Sequence, residues 1–140
     1  MNEPGGDPAT VISVELARLR DAVTGVRGSI LTGVDGLLVL QEGSTGSDPS
    51  DLAALAAAAY GIGHRSGDVL HQGRHHESTI HSRGGYFTVY SVDDSTLLAV
   101  IGEAGLNVAR LHLEAKACIE RLAETLRTGR DELFAPQSRL

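Results

Sequence analysis

The chain has 140 residues and a formal net charge of -6, and only 4% of its residues are aromatic. This acidic balance and the scarcity of aromatic rings argue against nucleic-acid binding. Cys118 is the single cysteine, so no internal disulfide can form, and no apolar run reaches the roughly 18 residues that span a bilayer. The N-terminus also lacks the basic and apolar regions of a signal peptide. We therefore expect a cytoplasmic protein with no nucleic-acid partner and no direct membrane insertion.

The first predicted elements are a helix and a β-hairpin. Residues 1–9 are rich in glycine, proline and acidic residues, which predicts a disordered N-terminal lead. Apolar residues then recur at helical spacing from Thr10 to Val23. Two apolar runs, 26–32 and 37–41, flank a Gly-Val-Asp-Gly sequence at 33–36, whose glycines favour the tight reversal of a hairpin.

The most informative segment is LAALAAAAYGI, residues 52–62, a predicted helix that is apolar on nearly every side. Asp48 and Pro49 are typical of a helix start, and we expect the helix to continue to about Arg65. A helix without a polar face must be covered on more than one side. One side is expected to pack on a sheet and the other on a second copy of the chain, although burial inside one larger core is the alternative.

Three further strands and a last helix complete the predicted domain. The strands are expected at 75–81, 86–92 and 96–101, and the short turns between them impose antiparallel pairing. An amphipathic helix follows over 106–127, and residues 128–140 are predicted to form a flexible tail. The domain at 10–127 is therefore predicted to be an α+β, three-layer sandwich. Two helices cover one face of a five-stranded antiparallel sheet, and the alanine-rich helix covers the other.

The unpaired edge of this sheet adds a second predicted contact between two copies of the chain. We predict that the homodimer interface contains four positions of the alanine-rich helix and four of the third strand: Leu52, Leu55, Ala56, Ala59, His75, Glu77, Thr79 and His81.

Motifs that would indicate chemistry are weak. The sequence HESTIH at 76–81 is one residue longer than the HExxH zinc motif. On a strand, His75, Glu77, Thr79 and His81 would share one face, which makes a weak metal site conceivable. Structural zinc usually takes four ligands, commonly including cysteine, so an interface or solvated strand is the favoured interpretation. With no Walker A loop and no G-x-S-x-G elbow, we predict no catalytic residue, cofactor or metal.

Several pieces together resemble the Roadblock family of the dynein light-chain superfamily, over about residues 12–127. They are VRGSIL at 26–31 with DGL at 35–37, DLAALAA at 51–57, LLAVI at 97–101, and the last helix from Asn107 to Leu126. The resemblance implies a profilin-like sandwich that forms homodimers through its middle helix and third strand and usually has no enzymatic activity. It also implies, for a bacterial member, a small Ras-like GTPase as partner and, in high-GC Gram-positive bacteria, a sensor-kinase-like protein.

The resulting hypothesis is a non-catalytic homodimeric adaptor that binds a small Ras-like GTPase. Arg65, Arg74 and Arg83 lie at predicted element ends and are the candidate GTPase contacts. A PAS-like or profilin-like small-molecule sensing module is an alternative, but it needs an internal pocket, and small alanines favour a closed core. A small hydrolase is a third possibility, and it would need a convergent acid, base and nucleophile that the sequence does not show.

Overall fold

Helices and strands alternate over residues 6–134, which are the residues that the computed structural model describes. In chain order the elements are α1 (Pro8–Ala22), β1 (Val26–Gly33), β2 (Leu38–Gly43), α2 (Pro49–Val69), β3 (Glu77–Ser82), β4 (Gly85–Ser91), β5 (Thr96–Glu103) and α3 (Val108–Leu133).

The five strands form one antiparallel sheet in the order β2-β1-β5-β4-β3. The sheet and its hairpins are those predicted from the turn residues. Central strands β1 and β5 contribute fully buried side chains such as Ile30, Leu31 and Leu97. Strands β2 and β3 are the two edges.

Each face of the sheet carries its own core. Helices α1 and α3 cover one face, with α3 contributing Leu111, Cys118 and Leu122. Helix α2 alone covers the other, where Leu52, Ala53 and Ala56 pack against side chains of β1, β4 and β5. The predicted α+β three-layer sandwich, with its two-helix and one-helix faces, is confirmed.

Ion pairs connect α1 to α3 and to strand β2. The Arg121 guanidinium of α3 donates to the Glu15 carboxylate of α1 at 2.6 Å, and Arg20 of α1 donates to Glu42 of β2 at 2.7 Å. The Glu15 residue is buried, so its pairing with Arg121 offsets the cost of removing a carboxylate from water.

Several element ends differ from the predicted ones. Helix α1 already begins at Pro8, inside the predicted lead, because the Asp7 carboxylate caps it by accepting the Thr10 N–H at 2.8 Å. Helix α2 continues to Val69, and α3 to Leu133, beyond the predicted ends at about 65 and 127. Strand β3 begins two residues later than predicted, at Glu77. Residues 1–5 of the predicted lead and 135–140 of the predicted tail lie outside the described residues.

Two glycines in α2 let the following loop fold back against the helix. A Cβ on Gly63 would lie 2.2 Å from His75 Cδ2, and one on Gly67 would lie 2.1 Å from the carbonyl oxygen of Gly73. Both distances are far shorter than any van der Waals contact. The glycines therefore lower the helix propensity of α2 but make room for residues 70–76, which lead into β3.

The glycines of α2 provide a matched pair of substitutions. A Cβ at Gly61 meets no atom within 4 Å, so Gly61→Ala should raise the free energy of unfolding by up to about 1 kcal/mol through helix propensity. The Gly63→Ala variant must displace the buried His75 ring and should instead lose about 1–3 kcal/mol. Urea unfolding of both variants at one protein concentration measures the difference. Equal stabilisation by the two substitutions would contradict this packing.

Candidate functional site

An exposed stripe of large apolar side chains follows the outer side of α2. Leu55, Ile62 and Val69 are 57%, 73% and 58% exposed, and they recur every seven residues, which is about two helical turns. Ile80 of β3, 49% exposed, lies on the same side of the sheet, because its partner Phe87 packs against the core under α2. These four residues are called the apolar stripe below.

The apolar stripe is a concentration of exposed apolar residues. With the neighbouring Leu70, it accounts for five of the ten large apolar side chains that are exposed between residues 6 and 134. Single exposed apolar residues are normal on a protein surface, whereas a continuous group of them is typical of an interaction site. The stripe is therefore the candidate functional site.

Strand β3 extends this site with an open sheet edge. Among the described strands it pairs with β4 on one side only, so the backbone groups on its other side are free to pair with another strand. Most of its six residues are exposed. An open strand beside an exposed apolar stripe is a surface suited to a protein partner.

The structure corrects the predicted helix contact. Leu52 and Ala56 are 8% and 0% exposed and face the chain's own sheet, and Ala59 is half-buried against the same core. Of the four predicted helix positions, Leu55 alone points outward. Assigning Leu52 and Ala56 to a partner-facing surface was wrong because an all-apolar helix has no polar side to show which face meets the sheet.

His75 was also misplaced by the sequence prediction. It precedes β3 and is buried on the α2 side of the sheet. Its Nδ1 lies 2.7 Å from Ser91 Oγ, its Nε2 lies 2.7 Å from Ser78 Oγ, and its ring meets Tyr60 edge-on at 5.4 Å. The prediction that His75 shares a strand face with Glu77 was therefore wrong.

The other three predicted strand residues do share the opposite face. Glu77, Thr79 and His81 pair with residues of β4 whose side chains point toward α3. The Thr79 hydroxyl donates to Glu77 Oε1 at 3.0 Å, and the His81 ring stacks on Tyr86 at 4.2 Å. The two faces of β3 thus differ, one carrying Ser78 and Ile80 beside α2 and the other carrying polar and titratable groups.

The three candidate arginines do not converge. Arg65 is exposed on α2, Arg74 forms an ion pair with Asp94 at 3.2 Å, and Arg83 lies in the turn after β3. Arg74 and Arg83 flank opposite ends of the six residues of β3, which span about 20 Å. They cannot all reach one phosphate group.

Two kinds of site are absent from the described part of the chain. No group of three or more His, Cys, Asp or Glu side chains is arranged to hold a metal ion in residues 6–134. None of the helices described there has the length and apolar character needed to cross a membrane. The buried Cys118 is a core residue, and burial raises the pKa of its thiol to about 11.

The sequence model of the Roadblock/LC7 domain family matches residues 12–102. The chain belongs to this family. The predicted resemblance is therefore confirmed. No curated protein matches the chain.

Solved structures support the same fold for this Roadblock/LC7 domain. A Roadblock/LC7 domain from Streptomyces avermitilis is 21% identical, with a TM-score of 0.77 over 83% of this chain and 98% of that one. An MglB structure with a tetrameric arrangement is 16% identical, with a TM-score of 0.79 over 89% and 93%. Profilin IA from Acanthamoeba castellanii is 13% identical, with a TM-score of 0.50 over 82% and 95%, in line with the predicted profilin-like architecture.

His75 should make the stability of the Roadblock/LC7 domain depend on pH. Burial lowers the pKa of its imidazole below the ordinary value of 6.5. The unfolded chain therefore takes up a proton at His75 before the folded chain does, and the folded state loses stability as the pH falls below about 6.5. The loss ends once the pH has passed the folded-state pKa.

This dependence can be isolated with His75→Gln, which cannot titrate. Urea unfolding of the native protein and the variant, from about pH 8 to about pH 5, should show the stability advantage of the native protein shrinking on the acid side. A difference that stays constant over that range would refute the assignment of this acid loss to His75.

Proposed function

We propose that this Roadblock/LC7 domain is a non-catalytic homodimeric adaptor that binds a small Ras-like GTPase. The observation that carries the proposal is the apolar stripe beside the open edge of β3. A stripe of Leu55, Ile62 and Val69 exposed to water costs free energy, and a second copy of the same surface covers it through an isologous contact. The family resemblance implies the same two elements as the contact.

The proposed dimer differs in its details from the one predicted from the sequence. Its helix contact is formed by Leu55, Ala58 and Ile62, which are exposed, instead of Leu52 and Ala56. Small Ala58 between two large residues lets the two copies of α2 approach closely. Its strand contact uses the open edge of β3 from Glu77 to Ser82, so that two five-stranded sheets become continuous.

The dimer can be tested with an aspartate in the apolar stripe. Ile62→Asp should raise the dimer dissociation constant at least about 100-fold, because an unpaired carboxylate in a buried contact costs several kcal/mol. Leu113→Asp is the matched control, since Leu113 is 68% exposed on α3, on the other face of the sheet. Sedimentation of the two variants measures the effect. A native protein that is monomeric at micromolar concentration would overturn the proposed dimer.

The proposal of a GTPase partner is based on the family resemblance. The proposal that this domain has no catalytic role is based on the positions of its three candidate arginines. Arg65, Arg74 and Arg83 offer cationic contacts at three separate places, which suits a broad docking surface better than one catalytic point. An arginine finger must lie on a segment able to reach the phosphates. The sensor-kinase-like partner that the resemblance also implies stays a prediction.

Arginine substitutions separate docking from catalysis. Single-turnover GTP hydrolysis by a small Ras-like GTPase from the same organism is measured at saturating native or variant protein. Arg65→Ala, Arg74→Ala and Arg83→Ala should each weaken binding about threefold to tenfold and leave the maximal rate nearly intact, whereas loss of an arginine finger costs about 10³-fold or more. Exposed Arg127 on α3 provides the control substitution, Arg127→Ala. Failure to bind the GTPase in either nucleotide state would overturn the proposal.

A further inference from the structure

A cavity of about 550 Å³ lies between α3 and the strands β3 and β4. This volume falls in the range of about 300–1,000 Å³ that is typical of small-molecule sites. The cavity opens beside the polar face of β3, away from the apolar stripe. Its walls include Glu77 at the start of β3, Tyr90 of β4, and Lys116 and Ile119 of α3.

The walls of the cavity carry charges of both signs. Lys116, the only lysine of the chain, and Arg74 supply two cations, and Glu77 and Glu120 supply two carboxylates. A ligand with one charge would meet a like charge as well as an opposite one. A ligand that carries an ammonium and a carboxylate can satisfy both, which makes electrostatic complementarity a source of specificity.

The floor of the cavity is held by a chain of polar contacts. The Tyr90 hydroxyl lies 2.7 Å from His112 Nδ1, and burial raises the pKa of Tyr90, so the phenol stays protonated. The other ring nitrogen of His112, Nε2, lies 3.8 Å from Glu77 Oε1. The Thr79 hydroxyl donates to this same oxygen at 3.0 Å, which restrains the Glu77 carboxylate at the wall of the cavity.

An apolar wall completes the site. Ile119 and the ring of the buried Tyr90 line the cavity next to these charges. Ligand pockets commonly combine such a wall with a few polar groups that fix the orientation of the ligand.

We propose that this cavity binds a zwitterionic small molecule, a free amino acid or dipeptide with an apolar side chain. Glu77 accepts from the ammonium, Lys116 donates to the carboxylate, and the side chain lies against Ile119 and Tyr90. The site goes beyond the proposed adaptor function and does not depend on the dimer, because every group that forms it belongs to one copy of the chain.

The probes for the test are leucine, phenylalanine and leucyl-leucine. Calorimetry gives the affinity, and backbone amide shifts in nuclear magnetic resonance spectra give the location. At least one probe should bind saturably below about 10 mM, with the largest shifts at residues around the cavity, such as Glu77, Ser91 and Lys116. Two analogues keep the isobutyl side chain of leucine: 4-methylpentanoate lacks the ammonium, and 3-methylbutylamine lacks the carboxylate. Each should bind at least about tenfold more weakly than leucine does.

Two substitutions that each remove a charge then identify which residue binds the ammonium and which binds the carboxylate of the ligand. Glu77→Gln should weaken zwitterion binding at least about fivefold and remove the preference over 4-methylpentanoate. Lys116→Gln should likewise weaken zwitterion binding at least about fivefold, and it should remove the preference for leucine over 3-methylbutylamine. Glu124→Gln, at an exposed position of α3 that does not line the cavity, is the control and should change nothing. The proposal is overturned if no probe binds by 10 mM, if the shifts lie elsewhere, or if the analogues bind as well as leucine.

Discussion

The fold depends on one helix that covers an entire face of the sheet alone. Helix α2 packs Leu52, Ala53 and Ala56 onto β1, β4 and β5, and its small side chains bring the helix backbone close to the strands. A single helix can bury only one of its sides in this way. Because residues 52–62 of α2 are apolar on nearly every side, the side turned away from the sheet leaves Leu55 and Ile62 exposed to water.

The same close approach explains the C-terminal half of α2. Gly63 and Gly67 lie where the loop of residues 70–76 crosses back over the helix, and the buried His75 ring fills the space that Gly63 leaves. His75 is then bonded to Ser78 of β3 and Ser91 of β4. One imidazole thus joins α2 to the two outermost strands of this edge, and the position of β3 depends on it.

The sequence predicted the secondary-structure elements more accurately than the side that each element turns toward the sheet. Turn residues such as Asp35-Gly36 act locally, and Asp48 with Pro49 marks a helix start locally, so the hairpin and the start of α2 were predicted correctly. Which side of α2 meets the sheet depends on packing across the whole domain, and a helix of alanines carries no periodic signal for it. The seven-residue spacing of Leu55, Ile62 and Val69 was present in the sequence, but only their exposure distinguishes them from Leu52 and Ala56.

His75 shows the same limit for a strand. A run of alternating residues from His75 to His81 predicted one shared face, because side chains in a strand alternate. The strand begins at Glu77, and the two residues before it belong to the loop that packs on α2. A shift of the strand start is enough to move a side chain to the other side of a sheet. The cavity beside α3 was missed for a related reason, since its groups come from separate elements that are distant in the sequence.

Strand β3 connects the two proposed sites. Because side chains alternate along β3, Ser78 and Ile80 lie on the side of the apolar stripe, and Glu77 and Thr79 lie on the side of the cavity. The outer backbone edge of β3 is the one proposed to pair with a second copy. A zwitterion held by Glu77 restrains the first residue of the pairing strand. If the ligand binds the paired and unpaired forms of β3 with different affinities, pairing must change ligand affinity by the same factor, since coupling between two binding equilibria is reciprocal. Under that condition, β3 alone would link occupancy of the cavity with assembly of the domain, because it carries both Glu77 and the open sheet edge.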